Sequence, residues 1–481
     1  MEPQNPEPII PQVQEVPTVT LPSKTPPPAE PMAPVEVKKG FPLIPVIGVS
    51  VLILAAIIFV IVRLVIPNLG GGGSGNSGEV TWWDLWENQQ AVQPLIDEYQ
   101  TQHPNVKINY VAQSKEDYRE RLTNSLARGT GPDIFSIHNT WVPMFKNNLD
   151  PVPASVMSAG EFSSAYYPVA TGDLSSGASI VAIPLMYDGL NLYINQDIFE
   201  TQGKSIPTTW DELRQTAIDL TIKDENGVIK QAGVALGRTE NVDHWQEVLA
   251  LMMVQNKVTM AEPTGPLAEA ALTYFTIFSS QDGVWDATLP NSTQTFANGN
   301  LAMYFGPSWR AFEIAAINPN LKFKIVPVPQ LPKDTPSEPN IAYATYWAEG
   351  VNNKSAAKTA AWEFLKFISS EQSLQKMYQN AAATRAFGEP YPRSDMASLL
   401  TGDSNVSAVV SQAPYAQSWF LASRTFDGPT GINSQINKYF EDAVNGVNQG
   451  LSAEDALVTV AAGVRQVLSQ YGIISANTTV Q

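Results

Sequence analysis

The chain has 481 residues, 44% of them hydrophobic and 16% charged, too long for one core and ordinary enough to fold as two or more compact units. Its formal net charge is -17 with no long Lys/Arg run, which repels polyphosphate backbones and excludes nucleic acid as a partner class. There is no cysteine, and the three histidines, His103, His138 and His244, stand far apart; thiol chemistry, disulfides and cysteine zinc sites are removed, and neither a metal nor a cofactor is expected.

Residues 1–40 are dense in proline ("TPPPAEPMAPVE") and poor in aromatics, the composition of an extended, disordered tail. Residues 41–66 are expected to form one transmembrane helix. "FPLIPVIGVSVLILAAIIFVIV", Phe41 to Val62, runs without a charge for about the 20 residues a bilayer crossing needs. It is too long for a signal-peptide core, and no small-x-small cleavage site follows it. Lys38 and Lys39 against the lone Arg63 favour a cytoplasmic N-terminus and an extracytoplasmic remainder, a single-pass protein of the cell membrane. Residues 67–79, with "GGGGSGNSG", read as a flexible linker. The linker fits G-x-G-x-x-G twice, but that fingerprint must follow a strand and open a helix. "GKS" at Gly203–Ser205 lacks the glycine a P-loop requires at position 198, where Ile198 stands.

From Val80 onward strand-like and helix-like segments alternate. "EVTWWDLW" reads as a strand; Val92, Leu95, Ile96 and Tyr99 follow at helical spacing; "VKINYV" is a second strand. "SKEDYRERLTNSLARG" offers a capping box in Ser114 and Asp117, an apolar stripe and Gly129 as terminator, and "DIFSIH" is a third strand. This β-α-β-α-β opening predicts an α/β fold with a largely parallel sheet. Thr209 and Glu212 form a second capping box; "NLAMYFG" and "FKIVPVP" are strands; "SAAKTAAWEFLKFISSEQSLQKMY" is one long amphipathic helix; Ser452 and Asp455 open a C-terminal helix.

Ligands of open parallel sheets bind beyond the carboxyl ends of the strands. That rule selects Asp84, Trp86 and Glu87 after the first strand, and His138 and Asn139 after the third. Carboxylates and amides beside flat rings suit a polyhydroxylated ligand, whose hydroxyls need paired acceptors and donors and whose C–H faces pack on indole or phenol. Trp82 and Trp83 alternate faces, so at least one is core, whereas Trp86 lies beyond the strand. Further candidates at element ends are Tyr187 and Asp188 in "IPLMYDGLNLYIN", Trp245 beside His244 in "HWQEV", Trp309 beside Arg310 in "GPSWRAF", Tyr346 and Trp347 in "ATYWAEG", and Arg385 in "TRAFGEPYPR". Asp188, a carboxylate inside an apolar run, must face a cleft or find a buried partner.

In sequence and in order, "EVTWWDLWENQQAVQPLIDEYQTQHPNVKINYV", "LARGTGPDIFSIHNTWVPMF", "IPLMYDGLNLYINQDIFE", "TTWDELRQTAIDLT", "NGNLAMYFGPSW" and "AAWEFLKFISSEQ" resemble family 1 extracellular solute-binding proteins, which include the maltose-binding protein of bacterial transporters. The resemblance implies a two-lobed, periplasmic-binding-protein-like α/β fold of the Venus flytrap kind, with hinge segments and the ligand between the lobes. Lobe 1 would take residues 80–187 and 336–390; lobe 2 would take 188–335 and 391–481, including the C-terminal helices. Carried over, Trp82, Asp84, Trp86 and Asn139 supply one wall. "MYDG" is the first crossing, Asp188 falls on a sugar-contacting position, and Trp309, shifted by one position, resembles an aromatic platform. The implied function is capture of a sugar or oligosaccharide and its delivery to an ABC permease. Anchoring departs from the family's usual N-terminal cysteine.

Two other readings compete. One is a glycoside-processing enzyme using Asp84 and Asp188 as its carboxylate pair. The other keeps the binding fold for a polyamine, peptide or metal. Acids clustered around aromatics would favour a cation, whereas Asn139, Arg310 and Arg385 mixed with Asp84 and Asp188 favour a neutral polar ligand.

Overall fold

Strand β1 (Gly78–Asp84) buries Val80, Trp82 and Asp84 on one face and leaves Thr81 and Trp83 half-buried on the other, the period-two pattern of a strand covered unequally on its two faces. The structure, a computed structural model, describes residues 78–474 apart from 334 and 336. The expected tail over 1–40 and transmembrane helix over 41–66 lie outside the described residues. So does the linker over 67–79, except that Gly78 and Glu79 belong to β1. Among the described residues no helix is long and apolar enough to cross a membrane.

The remaining strands of the two main sheets are β2 (Val106–Ala112), β3 (Ile134–His138), β4 (Ala182–Ile183), β5 (Asn191–Asn195), β6 (Ile222–Lys223), β7 (Ile229–Val234), β8 (Leu301–Gly306), β9 (Phe323–Val326) and β10 (Trp347–Val351). One sheet has the order β2-β1-β3-β10-β4 and the other β9-β5-β8-β7-β6. The two-lobed α/β arrangement is thus present, but a largely parallel sheet is not. β1 runs parallel to β2 and β3, while β10 is antiparallel to β3 and β4. In the second sheet only β7 and β8 run parallel.

The register explains the reversal. Trp347, the first residue of β10, sits opposite His138, the last of β3. Asn191, the first of β5, sits opposite Gly306, the last of β8. A chain crossing from one lobe enters the next sheet at its carboxyl edge and must run away from it. The crossings lie side by side: Gly189 bridges Ala344, Thr345 N donates to the Asp188 carbonyl at 3.0 Å, and Leu190 N donates to the Tyr343 carbonyl at 2.8 Å. A Cβ on Gly189 would lie 2.6 Å from the Tyr343 carbonyl oxygen, so only glycine allows this approach.

The helix Gln89–Gln102 buries the expected Val92, Leu95, Ile96 and Tyr99. Thr209 and Glu212 form their capping box, and Ser452 caps Ala453–Gln470 through the Asp455 amide. The box expected at Ser114 and Asp117 does not form: Asp117 is left-handed at φ 53, and its helix begins at Tyr118 and ends at Gly129, φ 72. The single helix expected over 355–378 is two, Lys358–Ile368 and Glu371–Ala382. Ser370, whose hydroxyl accepts from Ser373 N at 3.3 Å, caps a new helix rather than continuing the old one.

Candidate functional site

At the carboxyl edge of the first sheet, Asp84 is 3% exposed and its carboxylate is fully used. Oδ2 accepts from the Tyr110 hydroxyl at 2.8 Å and Glu87 N at 3.2 Å, and Oδ1 accepts from Ser136 Oγ at 2.8 Å. Ser136 Oγ also lies 2.6 Å from Glu349 Oε1. One hydroxyl proton cannot serve two carboxylates, so Glu349, whose pKa burial and then Asp84 push well up, holds a proton between them. Trp82 completes this network, its Nε1 donating to Glu349 Oε2 at 2.8 Å. The first strand therefore ends in a sealed polar knot with Trp82 as core.

Two residues further on, the chain reaches a cavity of about 280 Å3 lined by Trp86, His138, Met186, Asp188, Trp309, Phe312, Tyr346, Trp347, Arg385 and residues of the segment 423–426. Of the twelve residues selected from the sequence, the structure brings seven together here: Trp86, His138, Asp188, Trp309, Tyr346, Trp347 and Arg385. Trp86 meets Trp347 edge-to-face at 5.3 Å, and its Nε1 is buried without a partner.

His138 is neutral: burial pushes its pKa down to about 3, and its ring nitrogens face the Thr140 and Thr345 hydroxyls at 2.8 and 3.0 Å. Asp188 Oδ1 accepts from the Gly189 and Ser308 amides at 2.7 and 2.9 Å; Oδ2 accepts from Ser308 Oγ at 2.8 Å and Trp309 N at 3.4 Å. Burial outweighs these bonds and lifts its pKa to about 7. Asp188 thus fixes the turn that presents Trp309.

Five selected residues do not reach the cavity wall. Asp84 is locked as described, which removes the Asp84–Asp188 pair as a facing acid and base. Glu87, 5% exposed, accepts from Arg385 Nη2 at 2.8 Å beneath the wall. Asn139 is a strut: Nδ2 donates to Asp173 at 2.9 Å and Oδ1 accepts from Tyr346 N at 3.2 Å. Tyr187 packs on Tyr167 and Tyr346 at 4.9 and 5.9 Å. Trp245 opens the helix Trp245–Gln255 and is buried, whereas its neighbour His244, the left-handed residue before the helix, lines the cavity.

The sequence reading missed the segment 418–428. Ser423, Arg424 and Phe426 line the cavity, as do Lys115, Glu247, Phe312 and Glu389. Among the described residues five non-glycines have left-handed backbone, and three of these, His244 (φ 60), Arg424 (φ 51) and Phe426 (φ 51), line it. Left-handed backbone is costly for bulky side chains and persists only where surrounding contacts impose it.

Those contacts are buried polar anchors. Asp427 accepts from Asn433 N at 2.7 Å and Ser434 N at 3.3 Å. Ser423 N donates to Glu247 Oε1 at 2.6 Å, and Asn437 Nδ2 donates to the Ala422 carbonyl at 2.8 Å. His244 Nε2 accepts from Arg310 Nε at 2.8 Å, so Nδ1 carries the proton and faces Ser423 Oγ at 3.0 Å. No local signal in "LASRTFDG" announces this strap: its own Asp427 acts only through amides of the following helix, and the remaining anchors, Asn437 and Glu247, lie outside the segment.

The sequence model of the family described as bacterial extracellular solute-binding protein matches residues 83–375. A Brucella abortus protein described as a binding protein is 21% identical over 371 residues, covering 71% of this chain and 88% of that one. Among solved structures, the cyclic alpha-maltosyl-1,6-maltose binding protein from Arthrobacter globiformis superposes with TM-score 0.65 at 19% identity, over 82% of this chain and 100% of that one. The sugar-binding protein MalE from Xanthomonas citri gives TM-score 0.65 at 18% identity, over 82% and 98%. At these identities the structural matches establish a shared fold.

Proposed function

The chain belongs to the bacterial extracellular solute-binding proteins, and from that premise we propose that it captures a sugar or oligosaccharide between its lobes, outside the cytoplasm, and delivers it to an ABC permease. The observation that carries the reading is the set of flat rings, Trp86, Trp309, Tyr346 and Trp347, converging with Arg385 and Asp188 on one cavity at the sheets' carboxyl edges. Rings of this kind pack on the C–H faces of sugars while a few fixed polar groups set orientation. Relatives described as sugar-binding share the fold, and the matched relatives are named as binding proteins, which supports binding rather than catalysis.

Trp86 is the residue we place against the ligand, with Trp309 as the platform presented by the Asp188-held turn. Ligand touching both lobes would favour the closed arrangement through its larger contact with that state. A cleft of this size is consistent with micromolar affinity, about -8 kcal/mol. The apolar run Phe41–Val62 would hold the domain at the membrane, raising its local concentration beside the permease. Calorimetric titration of the full-length chain against a panel of glycans, amino acids, polyamines and peptides tests the substrate class. Binding to glycans supports the reading, and binding confined to another class refutes it.

A further inference from the structure

The polar groups of the cavity divide into those already engaged and those free to make a new contact. The acceptors are largely used. Asp188 receives four donors, Glu389 holds Arg385 at 3.0 Å, and Glu247 Oε1 takes Ser423 N while its Oε2 lies 3.7 Å from the protonated His244 Nδ1. Arg385 is shared between Glu87 and Glu389. Apart from Glu247 Oε2, which is buried without a hydrogen-bond partner, the free groups are donors. Trp86 Nε1 has no partner, and among the described residues the Lys115 ammonium has no carboxylate within ion-pair distance. Arg424 comes no closer to an acid than 3.8 Å, from an Asp243 that already holds Arg310 at 3.2 Å.

The cations are also placed against the aromatic wall. Lys115 Nζ lies 5.5 Å from the Phe426 ring centre, Arg424 Cζ 5.5 Å from Trp309 and Arg385 Cζ 5.3 Å from Phe312. Rings that already carry a protein cation are poor seats for a cationic solute. A sugar ring seated on such a wall would bring a pendant acid within reach of the cations. In a chain with 46 acidic and 29 basic residues, one cation without a carboxylate partner beside a second that only shares Asp243, at 3.8 Å, is a specific arrangement, and the strain at Arg424 is the local cost of holding one of them there.

We propose that the cleft takes an acidic saccharide, its carboxylate or sulfate met by Lys115 and Arg424 while its ring packs on the aromatic wall. This rests on the saccharide reading above and narrows it from neutral to anionic sugars.

The test is titration calorimetry of the full-length chain in detergent with matched pairs: trigalacturonate and trimannuronate against their carboxyl-reduced forms, and a sulfated chondroitin disaccharide against its desulfated form. At least one acidic member should bind about tenfold or more tighter than its neutral partner, and the carboxylate and sulfate arms identify which acid is read. That preference should weaken as salt rises from about 0.05 to 0.5 M, as an attraction to solvent-accessible cations requires, and fall below about threefold in the Lys115→Met, Arg424→Met double variant. Neutral partners binding as well as acidic ones, or a preference that survives both salt and the double variant, overturns the proposal while leaving the saccharide reading intact. Binding confined to non-saccharides overturns both. Should the double variant fail to fold, the salt dependence of the unaltered chain still decides.

Discussion

The two sides of the cleft are built by different means. Trp347 opens β10 in register with His138, and Trp86 follows two residues after the end of β1 in the same sheet. Arg424 and Phe426 stand on a strap of left-handed backbone whose place is set by its own Asp427, bonded to the next helix, and by Glu247 and Asn437 from outside it. A strand-end wall inherits its geometry from the core and changes only when the sheet does. The strap depends on a few buried hydrogen bonds, so one substitution can move it while both sheets persist.

The largest effect should come from removing a strap anchor. Asp427 is fully buried, and Asp427→Ala strands the Asn433 and Ser434 amides without their acceptor, a loss of about 2–4 kcal/mol. Urea unfolding should show that loss, and ligand affinity should fall with it, because the residue's only route to the ligand is through the strap. Unchanged affinity would mean the strap takes no part in binding. Trp86→Ala should act in the opposite proportion. Its affinity loss is expected at about thirtyfold, on the order of 2 kcal/mol, with little change in unfolding free energy because Trp86 is only half-buried at the edge of the core. Calorimetry and urea unfolding on one preparation separate the two quantities.

The same division governs how much was legible in the sequence. Strand ends are local: "EVTWWDLW" and "DIFSIH" placed Trp86 and His138 beside one cavity, and the rule about carboxyl edges needs only the alternation of apolar residues. It failed where a side chain's direction depends on partners. Asp84 turns inward because Tyr110 and Ser136 are there to receive it, and Asn139 turns toward Asp173. Trp245 was chosen over His244 because left-handed backbone at a histidine leaves no mark in the sequence. Strand direction failed for a topological reason, since the return of β10 from the other lobe is visible only once the crossing is known.

Titration provides a third contrast, beneath the strand-end wall. Burial, with Glu389 adding to it, lifts the Glu87 pKa to about 8, and burial lifts Asp188 to about 7. Both acids keep a proton in the folded chain that the unfolded chain has released by about pH 5. The stability this gives is complete at low pH and lost as pH rises through 7 and 8. His138 and His244, pushed down by burial, act in the reverse sense, and chiefly below their ordinary value of 6.5. Between about pH 6.5 and 8.5, therefore, unfolding free energy should fall, by no more than about 1.4 kcal/mol per pH unit for each group. Glu87→Gln, which keeps an oxygen for Arg385, should flatten the slope. An unchanged slope in that variant would place the titration elsewhere.

The smallest effect is the most direct measure of the difference between the two sides. At position 426 both Phe426→Ala and Phe426→Gly remove the ring, so the difference between them reports the backbone alone. Left-handed geometry costs a residue with a Cβ about 1–2 kcal/mol, while glycine gives up about 0.5–1 kcal/mol through its freer unfolded chain. The glycine variant should therefore be the more stable by up to about 1 kcal/mol, the reverse of the usual order. At Trp347, in the regular strand β10, the same pair of substitutions should rank alanine first. Urea unfolding of the four variants measures both differences. If alanine leads at both positions, the strap carries no strain, and Arg424 and Phe426 are held no differently from the strand ends they face.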